Sequence, residues 1–199
     1  KGEFHLSFAC KFEDVNDCRP YIDRMEVIDI LNKKLCSMGI KKAVVDIAMD
    51  SFKEEFNEND IEKIVENYRS QVRIGCFTDS YKNEKMWNKY GDMGRGFCIE
   101  YDTKKTDLFT SLTFPVLYIG EKYNMSQAYA YSLLWNWIVQ AKGISGNKQI
   151  ERYGKICNQF IKKAYIPIFL KNSETWSFEK EYRMFIRKHQ TTFKGLLKM

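Results

Sequence analysis

The segment Trp176–Arg187, WSFEKEYRMFIR, sets two carboxylates and an arginine at alternate positions. Alternate side chains of an extended chain share a face. Glu179, Glu181 and Arg183 then form one polar row, with Arg187 further along, and Trp176, Phe178, Lys180, Tyr182, Met184 and Ile186 occupy the other face. Carboxylates about 7 Å apart along a strand can hold a ribose hydroxyl, position an acceptor or orient a leaving group. Crowding pushes one of the two pKa values upward, which suits acid–base work. A solvated strand face with a cross-strand salt bridge accounts for the same row without any chemistry.

Three further segments carry candidate groups. Trp87 and Tyr90 stand three apart in MWNKY (86–90), so on a helical turn they share a face. Such a pair can stack on a planar ring or simply anchor a helix to the core. Gly94 and Gly96 permit close backbone approach to a ligand, or a tight turn. In FEDVND (12–17), Asn16 and Asp17 can cap the following helix or point a carboxylate into a cleft.

The wider composition narrows the classes. The 199 residues suit one domain, and 44% hydrophobic residues suffice for a sizeable core. No run approaches 18 apolar residues, so neither a transmembrane helix nor a membrane partner is expected. Lys and Arg number 32 against 26 acids, a formal charge of +6. The lysine doublets Lys33-Lys34, Lys41-Lys42, Lys104-Lys105 and Lys162-Lys163 read as solvated helix faces rather than a nucleic-acid groove. Near the C-terminus Arg183, Arg187, Lys188, Lys194 and Lys198 offer a weak site for an acidic partner. The six cysteines form no C-x-x-C pair, and His5 and His189 are the only histidines, so no metal site is expected. Asp17, Glu100 and Glu181 supply the carboxylates a metal-dependent nuclease would need, on a short sequence echo alone. Cys76 and Cys98 lie in apolar runs and read as buried thiols. With no signal peptide visible, the expected location is a reducing cytoplasm.

These groups must be positioned by an alternation of helices and short strands. Phe4, Leu6 and Phe8 alternate as a strand. Helical spacing runs from Tyr21 to Met38, with Gly39 as its stop, then over 42–56 and onward from Asn59. Strands are expected at Val72–Thr78, Gly96–Tyr101, Leu112–Ile119 and Trp176–Arg187, with a short helix or turn over Lys82–Tyr90. Pro115 marks an edge or a bulge. Long helices follow over 124–141 and 148–165, broken by Gly143 to Gly146. Uneven spacing and the absence of G-x-G-x-x-G and P-loop sequences argue against a doubly wound nucleotide fold. The expected class is α+β, with a small, mainly antiparallel sheet packed by helices.

In this order the pieces resemble the bacterial domain-of-unknown-function family 2971. The matching pieces are Phe12–Asp17, Cys76-Phe77-Thr78, Met86–Tyr90, Gly96–Tyr101, Val116-Leu117-Tyr118, and Trp176–Arg183 with Lys171 upstream. The chain departs from the family at Asn16-Asp17-Cys18-Arg19-Pro20, where an Asn-Asp-Pro-acid turn is usual. The resemblance also implies an opening strand that has no counterpart after Lys1. The late Glu-x-Glu strand is similar to that of ADP-ribosyltransferases. That second likeness implies an NAD-using ADP-ribosyltransferase or NAD glycohydrolase, acting as a toxin or phage-defence effector. Glu181 would grip the nicotinamide ribose, Glu179 orient a protein or nucleic-acid acceptor, Trp87 or Tyr90 stack on nicotinamide, and Arg183 meet phosphate. The alternative is a non-catalytic module that binds a nucleotide, a nucleic acid or a protein.

Overall fold

The computed structural model describes residues 6–102, 104, 111–142 and 148–187. Phe4, His5, Lys105, the Gly143–Gly146 break, Lys188, His189, Lys194 and Lys198 lie outside the described residues, as do the side chains of Ile186 and Arg187. The class is α+β. The chain forms two compact units. The sheet unit comprises Lys1–Arg19, Glu66–Glu121 and Pro167–Met199; the helical unit comprises Pro20–Val65 and Lys122–Ile166.

The helical unit contains α1 (Arg24–Ser37), α2 (Lys42–Glu55), most of α3 (Glu58–Gln71), α5 (Ser126–Lys142) and α6 (Lys148–Ile161). The first of these is capped by Asp23, whose side chain accepts from the Glu26 amide. Asp17 therefore does not cap it, contrary to the first alternative for FEDVND. The chain leaves α1 through Gly39 at φ +77, where a side chain would be strained. Val27, Leu31, Val45, Met49 and Leu134 form an apolar core, with Tyr131 stacked on Phe160 at 4.0 Å.

The sheet unit is built on β1 (Ser7–Phe8), β2 (Val72–Thr78), β3 (Thr113–Pro115) and β6 (Glu181–Arg187), antiparallel in the order β1-β2-β6-β3. Pro115 sits on an edge strand, where its missing N–H costs the sheet nothing. A separate parallel pair joins β4 (Leu117–Ile119) to β5 (Leu170–Asn172). The expected single strand Leu112–Ile119 is thus split at Val116 between two sheets.

Two other strand expectations fail. Residues 96–101 form no regular element, and Phe97 is 85% exposed. Trp176–Lys180 is not extended either. The Asn172 side chain accepts from the amides of Glu174 and Thr175 and starts α7 (Ser173–Trp176), and a 3-10 turn follows at Ser177–Glu179. Lys180, in the left-handed region at φ 46, ends the turn and lets β6 begin. Local capping here overrides the apolar/polar alternation. Cys76 and Cys98 are exposed, which corrects the expectation of buried thiols. Among the described residues, no helix is long and apolar enough to cross a membrane.

Candidate functional site

A cleft of about 1240 Å³ opens in the sheet unit, and all of its lining residues belong to that unit. Its floor is set by β6. Register places Glu181 opposite Thr78 and Arg183 opposite Cys76, so these four side chains share one face of the sheet.

Arg183 is wholly buried and anchors the floor. Its Nη1 and Nη2 donate to Asp17 Oδ1 and Oδ2 at 2.9 and 2.7 Å. Its Nε and Nη2 donate to Glu181 Oε1 and Oε2 at 2.7 and 3.0 Å. The remaining Nη1 hydrogen faces the Ile168 carbonyl at 2.7 Å. All five guanidinium donors are therefore engaged inside the protein, and none is left for a ligand phosphate.

Lys171, from β5, is the second buried cation. Its Nζ lies 2.5 Å from Glu179, 3.1 Å from Glu181 and 3.6 Å from Asp17, and 4.6 Å from the Trp176 ring centroid. Burial alone would favour the neutral amine. The Glu181 charge, the Glu179 hydrogen bond and Asp17 outweigh it and hold Lys171 protonated above its ordinary range. Burial likewise opposes ionisation of Glu181, but hydrogen bonds and charge from Arg183, with Lys171 beside it, keep its carboxyl below the usual range. Burial pushes the neighbouring Cys18 thiol well up, which disfavours its thiolate.

The turn before β6 is fixed by the backbone. Thr78 Oγ1 donates to the Glu179 carbonyl, the Glu181 amide donates to the Tyr118 hydroxyl, and the Val116 amide donates to the Glu181 carbonyl, each at 2.8 Å. Glu179 reaches the same floor as Glu181 because Lys180 reverses the chain, not because the two alternate along a strand. The Tyr90 hydroxyl donates to Glu179 Oε1 at 2.5 Å.

The cleft wall includes α4 (Glu84–Tyr90). Asn83 caps it and also donates through its side chain to the Phe178 carbonyl. The Trp87 indole N–H donates to the Tyr81 carbonyl at 2.6 Å. At Gly91 a Cβ would stand 2.6 Å from the Trp87 ring, so only glycine admits this packing. Trp87, Tyr90, Asp17, Glu179 and Glu181 all line the cleft. Arg183 lies behind them, and Asn16 is exposed and outside the lining.

Sequence reasoning assigned no role to Lys171, Trp176 or Tyr118, which the structure brings to the same floor. One signal for Lys171 was available: a lone lysine closing the apolar run Ile166–Leu170. Such a lysine is either at the surface or buried with a partner.

Residues 86–184 match the family model described as "Protein of unknown function (DUF2971)". The chain belongs to this family. The DUF2971 match spans Trp87, Tyr90, Lys171, Trp176, Glu179, Glu181 and Arg183, whereas Asp17 and Cys76 precede it. Neither the curated proteins nor the solved structures yielded a match.

Proposed function

We propose that the cleft binds NAD and cleaves its N-glycosidic bond, as a glycohydrolase or as an ADP-ribosyltransferase. The supporting observation is the floor cluster. Among the described residues, Asp17, Glu179 and Glu181 face two cations, Lys171 and Arg183, a formal excess of one negative charge. Held away from bulk water, that charge acts strongly on a cation developing beside it.

In the reaction the bond between ribose C1′ and the pyridinium nitrogen breaks, and its electron pair leaves with nicotinamide, which departs neutral. Positive charge develops on C1′ and the ring oxygen, where a fixed carboxylate is stabilising. Water or an acceptor then bonds to C1′ and loses a proton to solvent. Glu181 Oε2 already accepts from both Lys171 and Arg183. Each Glu179 oxygen accepts a single bond, from Tyr90 or Lys171, and keeps a lone pair for a ligand hydroxyl or the attacking group. Glu179 is therefore the carboxylate that meets substrate, and Glu181 supplies fixed charge behind it. Trp87 and Tyr90 offer the ring faces for nicotinamide.

Nicotinamide release by the wild-type protein, compared with Glu179→Gln and Glu181→Gln, tests this. Wild type should release nicotinamide, and Glu179→Gln should lower the rate by roughly 10²-fold with its fold intact by circular dichroism. A folded wild type that releases none, with acceptors supplied, overturns the reading. The near-saturation of Glu181 favours a second reading, a ligand-binding module without turnover; NAD binding by calorimetry in the absence of release would support it.

A further inference from the structure

The chain is basic overall, yet its cleft is acidic. Seven carboxylates line it against two lysines. Three of the acids belong to the floor cluster; Glu13, Asp14, Asp79 and Glu100 stand on the walls. Of these, Glu13, Asp79 and Glu100 are exposed and form no salt bridge among the described residues. A net charge of +6 for the whole chain makes this local reversal of sign a property of the site, not of the composition.

Aromatic rings share the same walls. Phe97 is 85% exposed and Tyr81 59% exposed, and both line the cleft beside Trp87 and Tyr101. Large rings left in water around a concave, acidic surface are suited to the face of a cation. The molecule already uses this chemistry at the same place. The Lys171 ammonium is held by three carboxylates and the Trp176 ring, and Lys89 Nζ lies 4.2 Å from the centroid of that ring.

We infer that the cleft selects a planar organic cation, a pyridinium or a guanidinium, and disfavours anions. The inference rests on the reading of this cleft as the ligand site and specifies its charge preference. Within NAD, it places the pyridinium end among the acidic walls and the diphosphate outside them. Attraction by the wall carboxylates raises the local concentration of such a cation, and ring stacking orients it. A diphosphate at the same depth would meet these carboxylates with Arg183 already fully engaged.

Fluorescence of Trp87 and Trp176, both in the lining, provides the readout. The probes are 1-methylnicotinamide and agmatine as cations, nicotinamide as the neutral isostere and ADP-ribose as the anion. At least one cation should bind roughly tenfold tighter than nicotinamide, and its affinity should fall as salt is raised. Whichever cation binds identifies the source of the charge. Glu13→Gln, Asp79→Asn and Glu100→Gln lie outside the floor cluster, so folding is preserved, and each should weaken binding about two- to fivefold. Tighter binding of ADP-ribose, no binding of either cation to folded protein, or unchanged affinity in all three wall variants overturns the inference. Cation binding without nicotinamide release would sink the glycosidic reading and leave this one standing. Nicotinamide release without cation preference would do the reverse.

Discussion

The two units bury different kinds of side chain. In the helical unit the interior is Val27, Leu31, Val45, Met49, Leu134 and their apolar neighbours. In the sheet unit the largest fully buried side chain is Arg183, and Asp17, Lys171, Glu179 and Glu181 are buried with it. Apolar burial is stabilising by itself at about 25 cal/mol per Å². A buried ion cluster starts from a desolvation penalty and breaks even only with dense hydrogen bonding. The helical unit therefore has the composition of a scaffold. The sheet unit holds charge in a place where charge is costly, and that cost is the usual mark of a working site.

The contrast can be broken most severely at Arg183. Arg183→Leu leaves Asp17 and Glu181 without their guanidinium and should destabilise the sheet unit by about 3–5 kcal/mol. Denaturant titration at pH 7 measures it, and hydrogen exchange at β2 and β6 amides locates it. A loss below about 1 kcal/mol would mean that the cluster is incidental.

Next in size is Leu31→Ala, which opens a cavity in the apolar core and should cost about 2–5 kcal/mol. The two variants sharpen the comparison through pH. The Leu31→Ala loss should be the same at pH 7 and pH 4. The Arg183→Leu loss should shrink as its orphaned carboxylates are protonated. Equal pH dependence in the two would remove the distinction between the cores.

Acid should also separate the units in the wild type. The folded Glu181 carboxyl is held below its ordinary range, with burial opposing ionisation and Arg183 and Lys171 outweighing it. A depressed value means that its contribution is complete above the unfolded-chain pKa of about 4.3. It is lost as pH falls through the folded value. Lys171 is shifted upward, so its contribution persists through neutral pH and is lost only in strong alkali. In the helical unit the lowered carboxyls are Asp23, the cap of α1, and Asp60, in the first turn of α3; both are only half-buried, so solvent screens them. Between pH 6 and 3, amides of β6 should lose protection before those of α1. The reverse order would contradict the assignment of charge to the sheet unit.

The smallest effect is expected at the cleft wall. Tyr90→Phe removes the hydrogen bond to Glu179 Oε1 and should cost about 1.5 kcal/mol. Its melting temperature should fall only slightly, while nicotinamide release, if Glu179 meets substrate, should change more than stability does. Parallel loss of both would reduce Tyr90 to a structural prop.

Elements whose cause is local were legible in the chain. The β-branched and aromatic run at 72–78 is β2 to the residue, α2 ends within a residue of expectation, and Gly39 stops α1. Pro115 stands on an edge, as a residue without an N–H must. The strand expected over Trp176–Lys180 fails because a side chain competes with its own backbone. Alternation in WSFEKEYR favours a strand, but Asn172 caps a helical turn before it and Lys180 closes that turn. Glu179, Glu181 and Arg183 were recognised as a group for a geometric reason that holds only from Glu181 onward.

What the sequence by itself determined is therefore the helices α1 to α6, the strand β2, the α+β class and the concentration of charge and aromatic rings in a few segments. Period, capping and turn chemistry act over a handful of residues and are written in their order. Tertiary structure decided that Asp17 leaves the helix it precedes and meets Arg183, 166 residues away. It also decided that Lys171 stands between three carboxylates and that Cys98 and Phe97 face solvent. Those outcomes depend on which charges can be desolvated together, and only the packing of distant strands settles that balance.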